Sequence, residues 1–228
     1  MVEKKNKKKG VATGFILGGL AVIFIGLVGF VSFAERKNGE VEKFIDGVRP
    51  EKIKISNITE RSFNVSFVTK RKVNGSVLIE GREIKDDRDK YKKTIDGYYV
   101  HFVTVGDLKA AKEYSFRIKS GSESYGKNGE DFLVKTKKEE EKTECEMKLA
   151  GNVAGAGEDV VVYVSVDEIN LAYLVDDKGH FGVNFGKEGV CPTFDEEMSV
   201  FFEGGDRGNY LAKIVLREEN KLNNIVLE

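Results

Sequence analysis

Apolar positions change their period along this chain. An unbroken run without charged residues occupies 11–34, whereas beyond residue 47 apolar and polar residues alternate in short segments. In "RSFNVSFVT", Phe63, Val65 and Phe67 alternate with polar neighbours, which is the period of a strand with one buried face. The pattern predicts an all-β fold that follows one long N-terminal apolar helix.

The segment 47–137 contains further strand-like runs separated by polar turns. Asn74-Gly75 is a turn signal at the start of one of them. The runs read "NGSVLIEG", "YYVHFVTVGDL", "EYSFRIKSG" and "EDFLVKT". Strands of this length with short polar connections predict an antiparallel β-sandwich. Between the second and third strands, "REIKDDRDKYKKTIDGYY" is interpreted as a long, solvated loop.

A second antiparallel β-sandwich is predicted for 144–228, after a charged linker at 138–143. Its first part contains runs of strand-forming residues, and "MSVFFEGGDRGNYLAKIVLREENKLNNIVLE" predicts three further strands. Asp176-Asp177-Lys178-Gly179 predicts a tight turn between two strands, since Gly179 can adopt a positive φ.

Two segments of the first domain resemble a fibronectin type III domain. "ISNITERSFNVSFVT" is similar to its A–B region, and "VHFVTVGDLKAAKEYSFRIKSGS" is similar to its E–F region. The resemblance implies a structural tyrosine corner at Leu108 and Tyr114, in which the phenol binds backbone near the E–F turn. Phe67 stands where the family has a Trp, and "LKAAKEY" lacks a Pro. "HFVTVGDL" looks like the variant that precedes purple acid phosphatase domains, whose activity is not implied here.

The second domain resembles carboxypeptidase-regulatory-like domains of transthyretin-like topology. "AYLVDDKGHFGVNF" approximates the family's TD-x-x-G-x-F hairpin. The resemblance implies a β-sandwich module and brings no catalytic residue with it.

The N-terminal segment has the length and flanking charges of a membrane anchor. The run 11–34 would span about 36 Å as a helix, enough for a bilayer core of about 30 Å. The preceding tail, 1–10, predicts a cytoplasmic N-terminus by the positive-inside rule and carries Lys4, Lys5, Lys7, Lys8 and Lys9. Residues 35–46 would form a linker. Cleavage after Ala34, as in a signal peptide, is one alternative, and the length of the uncharged run disfavours it. A leader ending at Gly10, which resembles that of type IV prepilins, is another. That family usually has a Glu where this chain has Phe15, which disfavours this alternative.

Charge is divided unevenly, although the whole chain carries a net charge of −1. Residues 51–137 carry 19 basic and 13 acidic side chains, whereas 138–228 carry 9 basic and 20 acidic ones. Two domains of opposite sign could attract one another or different partners. Two independently solvated surfaces are the simpler interpretation.

Few residues are candidates for catalysis, metal binding or disulfide formation. Cys145 and Cys191 predict a disulfide in an exported segment, because their count is even and the spacing fits no metal motif. The histidines are His101 and His180, and His101 reads as a strand residue. Asp176, Asp177 and Asp206 lack EF-hand spacing, and turn chemistry explains them more simply than calcium. We therefore expect no catalytic residue, metal site or cofactor.

These features predict a non-enzymatic, prokaryotic surface protein, anchored by a single-pass helix with its β-sandwiches outside the membrane. Its expected role is adhesion, envelope architecture or contact with an unidentified surface protein or glycan, and no nucleic-acid partner is expected. One alternative is an accessory subunit of a surface filament or secretion machine. Another is a substrate- or carbohydrate-binding module that works with a separate enzyme.

Overall fold

The structure is a computed structural model that describes residues 46–90, 97–139, 145–155, 159–217 and 219–227. The predicted tail (1–10), membrane helix (11–34) and most of both linkers lie outside these residues. Within the described part of the chain, no helix combines the length and apolarity needed to span a bilayer. Residues 46–228 cluster as one compact unit.

The described residues form fifteen strands. In chain order they are β1 Glu51–Ser56, β2 Phe63–Val73, β3 Gly75–Ile79, β4 Arg82–Lys85, β5 Tyr98–Val105, β6 Glu113–Ser120, β7 Glu123–Tyr125, β8 Phe132–Lys135, β9 Lys148–Val153, β10 Val161–Val166, β11 Ile169–Leu174, β12 His180–Asn184, β13 Glu197–Glu203, β14 Asn209–Val215 and β15 Glu219–Ile225. Two 3₁₀ turns, Asp87–Lys90 and Gly205–Arg207, accompany them.

The first eight strands form a β-sandwich. One sheet has the order β1-β2-β5, and the other has the order β4-β3-β6, with β7 and β8 both paired to β6. Phe63, Val65 and Phe67 point between the sheets and are fully buried, as their alternation predicts. This division of strands is that of a fibronectin type III-like sandwich.

The other seven strands form a second β-sandwich, with sheets β11-β10-β13-β14 and β12-β9-β15. Its core contains Leu149, Val164, Phe185, Met198 and Phe202. One pair departs from the predicted antiparallel arrangement, because β15 runs parallel to β9.

The turn at 176–179 corrects a second expectation. Asp176 and Gly179 form the predicted tight turn, and Gly179 has a φ of +85°. The strands that it joins are not a hairpin, because β11 pairs with β10 whereas β12 pairs with β9 in the opposite sheet. The turn therefore forms a corner between the two sheets, and the hairpin implied by the carboxypeptidase-regulatory-like resemblance is absent there.

The two sandwiches are stacked face to face. Ser66, Val100 and Phe102 lie on the outer side of sheet β1-β2-β5, and Tyr163 and Ala172 lie on the outer side of sheet β11-β10-β13-β14. Apolar members of both faces share one buried cluster. The sandwiches thus form four consecutive layers, and each of the two middle layers is covered on both faces where the sandwiches meet.

Cys145 and Cys191 lie in different connections of the second sandwich. Cys145 precedes β9, and Cys191 lies between β12 and β13. Their sulfurs are joined, with the Cα atoms 5.5 Å apart, a separation typical of disulfides. The bond ties the entry of the second sandwich to the connection that leads into its other sheet.

We predict that this disulfide stabilises the second sandwich. Replacing both cysteines by serine should lower the free energy of unfolding by about 2–4 kcal/mol, because the open chain gains loop entropy. Urea unfolding of wild-type and double-variant protein measures the loss. Thiol labelling of unfolded, unreduced wild-type chain should find no reactive thiol, and two thiols per chain would contradict the prediction.

Candidate functional site: the junction between the sandwiches

An apolar patch forms the centre of the junction. Val100 and Phe102 of β5 pack on Val161, Tyr163 and Ala172 of the second sandwich, and all five are buried. Val68, Leu174 and Phe201 pack around them. Burial of apolar area stabilises the contact by about 25 cal/mol per Å², so this patch favours association of the two sandwiches.

Polar groups of the predicted solvent face of β2 are also buried at the junction. The Tyr163 hydroxyl donates a hydrogen bond to Oγ of Ser66 over 2.8 Å, and burial raises the pKa of Tyr163 to about 12. Ser66 and Asn64 alternate with the core residues of β2, and both are buried. The prediction of a half-buried strand is therefore wrong here, because a second sheet covers the face that would otherwise meet water.

Asn57 joins the first sandwich to β11, an edge strand. Its Oδ1 accepts a hydrogen bond from the Ala172 backbone N–H over 2.6 Å, and its Nδ2 donates to the Ala172 carbonyl over 3.1 Å. Its own backbone N–H donates to the Asn170 carbonyl over 3.2 Å. Asn57 has a φ of +48°, which Asn tolerates better than most residues. The residue thus covers the edge of β11 as a short neighbouring strand would.

Arg88 connects both sandwiches through buried charges. Its guanidinium makes two bonds to Asp86, of 2.8 and 2.9 Å, and one of 3.0 Å to Asp159 of the second sandwich. It also donates to the Val100 carbonyl over 2.5 Å and lies 3.6 Å from the Tyr98 ring centroid. Two carboxylates, a carbonyl and an aromatic face thus replace the water that burial removes from this cation.

This cluster corrects the interpretation of "REIKDDRDKYKKTIDGYY" as a solvated loop. Its described part contains β4 and the turn Asp87–Lys90, and Asp86 is fully buried. Asp86 also accepts a hydrogen bond from the Phe102 backbone N–H over 2.9 Å. The described part of the segment that contains Asp86 and Arg88 therefore holds the outer face of β5.

A second ion pair crosses the junction. Nζ of Lys52 lies 2.7 Å from Oε2 of Glu203, whose side chain is 2% exposed. Lys54 lies beside this pair, with Nζ 3.6 Å from the Tyr163 ring centroid. Burial lowers the pKa of Lys54, against the attraction of Glu203. Both Lys52–Glu203 and Arg88–Asp159 join a cation of the basic half to an anion of the acidic half, so the uneven charge serves in part to match the two sandwiches.

His101 lies in β5 behind the junction, against the core of the first sandwich. Its ring stacks on Phe67 with centroids 4.2 Å apart, and a Cβ atom at Gly75 would lie 2.2 Å from its Nδ1. Position 75 therefore requires glycine because the imidazole occupies the space of a side chain. Burial, and then the charge of Arg88, lower the pKa of His101 to about 3. A neutral, buried ring of this kind is a structural group.

The residues predicted from the sequence lie away from the junction. The Tyr114 hydroxyl accepts a hydrogen bond from the Lys109 backbone N–H over 2.7 Å, and Leu108 is buried beside it. Cys145 and Cys191 lie in connections of the second sandwich. The five lysines of the N-terminal tail lie outside the described residues. Within the part of the chain that the structure describes, no group of three His, Cys, Asp or Glu side chains is placed to hold a metal ion.

Two open grooves flank Asn57. One has a volume of about 410 Å³ and is lined by residues of both sandwiches, including Ile58, Lys137 and Glu168. The other has a volume of about 420 Å³ and includes Thr104 and Glu188. These grooves give the junction a surface of mixed polarity that a partner could contact.

The junction residues carried a weak signal in the sequence. Arg88 lies in a run of alternating charges, which is usual for a solvated segment. Asn57 reads as an ordinary loop residue. The opposite net charges of the two halves were the one sequence feature that pointed to contact between them.

Comparison with known proteins assigns the chain to no family. No family model and no curated protein matches it. Among solved structures, it is similar to the central fibronectin-III array of RIM-binding protein, at 15% identity over 74% of this chain and 63% of that one, with a TM-score of 0.27. The FN1–FN3 domains of chicken CNTN1 align at 12% identity over 76% and 67% of the chains, with a TM-score of 0.26.

A family 28 exopolygalacturonase of Yersinia enterocolitica aligns at 13% identity over 45% of this chain and 21% of that one, with a TM-score of 0.27. The chain spans less than two thirds of the exopolygalacturonase and of the RIM-binding protein array. The fold is assigned from the sheet order and the packing of the strands, independently of these likenesses.

We predict that His101 makes the protein less stable in acid. An unfolded histidine has a pKa of about 6.5, whereas that of folded His101 is about 3. Between these values the unfolded state binds a proton that the folded state does not, so the free energy of unfolding falls as the pH falls. This group alone should remove about 2 kcal/mol between pH 7 and pH 5.

Urea unfolding at pH 7, 6 and 5 measures this effect. His101→Phe retains a ring against Phe67 and cannot titrate, so its stability should change less with pH, whatever its value at pH 7. Leu133→Ala, at an exposed position that does not titrate, should retain the pH dependence of the wild type. Equal pH dependence in wild-type and His101→Phe protein would show the prediction to be wrong.

We predict that Asn57 couples the two sandwiches. Asn57→Ala leaves the Ala172 N–H and C=O without these partners and should lower the free energy of unfolding by about 1–3 kcal/mol. Asn128→Ala is the matched control, because Asn128 has a similar φ of +54° and lies in an exposed turn away from the junction. Urea unfolding compares the variants, and equal losses would assign the effect to backbone strain alone.

Proposed function

We propose that this chain is a membrane-anchored, extracytoplasmic interaction module in which two stacked β-sandwiches act as a single rigid unit. The observation that carries this proposal is the junction. An apolar patch, two ion pairs and the hydrogen bonds of Asn57 fix one sandwich against the other. A unit of this kind holds a contact surface at a constant orientation relative to its point of attachment.

The sequence supports the proposed location. The uncharged run 11–34 is long enough to remain as an anchor, and the lysines before it favour a cytoplasmic N-terminus. The Cys145–Cys191 bond is consistent with an oxidising compartment, where such bonds persist. Both observations favour display of residues 46–228 outside the membrane.

The role that suits this arrangement is contact with a surface protein or a glycan, in adhesion or envelope architecture. The grooves beside Asn57 offer apolar and charged groups from both sandwiches, so a partner that fills them would bind only the assembled pair. We propose a non-enzymatic role, supported by the burial of His101 and its lowered pKa, which disfavour that residue as a general base at neutral pH. Assignment of the sandwiches to the phosphatase-associated variant and to the carboxypeptidase-regulatory-like family rests on the sequence resemblances.

We predict opposite accessibility for cysteines placed on the two sides of the run 11–34. The wild-type cysteines are paired, so Leu133→Cys or Asn6→Cys adds a single free thiol. A membrane-impermeant maleimide should label Leu133→Cys on intact cells, because that exposed position lies beyond the anchor. It should label Asn6→Cys only after the cells are permeabilised.

Intact-mass measurement of protein from the same membranes completes the test. Retention of the anchor predicts an N-terminus before Val11. Chains that begin at Glu35 would indicate a cleaved leader and contradict the anchor. Labelling of Asn6→Cys on intact cells, or protection of Leu133→Cys, would contradict the proposed orientation.

A further inference from the structure

Strand β14 lies at an edge of the sheet β11-β10-β13-β14. Its described neighbour is β13, which pairs with it along all seven residues. The opposite edge, formed by β11, is covered by Asn57. An edge strand presents backbone N–H and C=O groups that can pair with another chain, and within the described residues β14 has one side available for such pairing.

The side chains of β14 leave this edge weakly protected. Leu211 is 57% exposed, Val215 is 49% exposed and Tyr210 is 38% exposed. The charged residue of the strand is Lys213, whose Nζ lies 2.7 Å from Oε1 of Glu197 on the neighbouring strand. Edge strands usually avoid association by being short or by carrying charged side chains, especially lysine, and proline. This strand has seven residues, exposed apolar groups, no proline and one charged residue.

The exposed apolar surface continues the junction itself. Across the sheet, Ala172 pairs with Tyr163, Tyr163 pairs with Phe201, and Phe201 pairs with Leu211. The first three residues belong to the cluster that the first sandwich covers. Leu211 ends the same row and lies outside the area that the first sandwich covers. A partner strand beside β14 would therefore extend an apolar row that is already part of an interface.

We propose that β14 pairs antiparallel with β14 of a second copy of this chain, with Leu211 opposite Leu211 at the two-fold axis. In this register Tyr210 faces the small side chain of Ala212, and Asn209 faces Lys213. Centring the axis on Lys213 would place like charges opposite each other, which is destabilising. Centring it on Ala212 would place Leu211 against Lys213.

A second copy of the chain is the proposed partner because the free edge of β14 can match itself. A closed two-fold interface requires one patch to match itself, and the register at Leu211 places an apolar pair at the centre and a large residue against a small one. The two four-stranded sheets would then form one continuous sheet across the dimer. This inference concerns β14 alone and does not depend on membrane location or on a ligand in the grooves.

Cysteine cross-linking in the full chain tests the register. Leu211→Cys adds a single thiol, and facing Cβ atoms at a two-fold axis lie about 4.5–5.5 Å apart. Mild oxidation of the full chain in producing cells should therefore yield a covalent dimer on non-reducing gels. Asn209→Cys and Lys213→Cys should each dimerise poorly alone, whereas co-expression of these two variants should yield a mixed dimer.

Leu133→Cys is the matched control. Leu133 is an exposed leucine, at 62%, on β8 of the first sandwich, and β8 has four residues. Cross-linking of Leu211→Cys no stronger than that of Leu133→Cys would overturn the proposal. Equal cross-linking of Lys213→Cys alone would overturn the register, and an adduct of Leu211→Cys with a different protein would identify a foreign strand as the occupant.

Equilibrium sedimentation of the purified full chain gives an independent measurement. A lysine at position 211 places a charge at the centre of the proposed interface, so Leu211→Lys should weaken dimerisation by at least about tenfold, equivalent to about 1.4 kcal/mol. Leu133→Lys should leave the dimer unchanged. Circular dichroism checks that both variants fold. A monomeric wild-type chain, or equal dimerisation of all three proteins, would contradict the inference.

Discussion

Burial of the outer face of sheet β1-β2-β5 is the constraint on which most of the structure depends. A sandwich normally buries one face of each sheet and leaves the other to water. Here the outer face packs on a sheet of the second sandwich, so Ser66 is as enclosed as the core residues beside it, and Asn64 is also buried. Each polar group of that face must then find a partner within the protein, because an unpaired buried group is costly.

The charged and polar contacts of the junction follow from that requirement. Arg88 is enclosed, and it binds Asp86 and Asp159 together. The Tyr163 hydroxyl reaches Ser66, and Asn57 satisfies the edge of β11. These bonds depend on direction, whereas apolar packing does not. We therefore infer that the apolar patch supplies much of the attraction, and that the polar contacts select one relative orientation of the sandwiches.

The junction also distinguishes the two edges of the central sheet in the second sandwich. Asn57 covers β11, whereas β14 has exposed apolar side chains and, within the described residues, pairs with β13 alone. A rigid unit with one covered and one available edge can extend its sheet in a single direction. The proposed module and the proposed pairing of β14 are therefore compatible, although each stands on its own observations.

The sequence by itself determined the local structure. Alternation at Phe63, Val65 and Phe67 predicted a strand and its core face, because side chains of a strand alternate between two faces. The turn residues Asp176 and Gly179 predicted a tight turn, because backbone conformation depends on neighbouring residues. Only the tertiary structure decided which sheet each strand joins, how β15 runs beside β9, and that Arg88 is buried. Those outcomes depend on groups that are distant in the chain, 71 positions apart for Arg88 and Asp159, and periodicity carries no information about what covers an outer face.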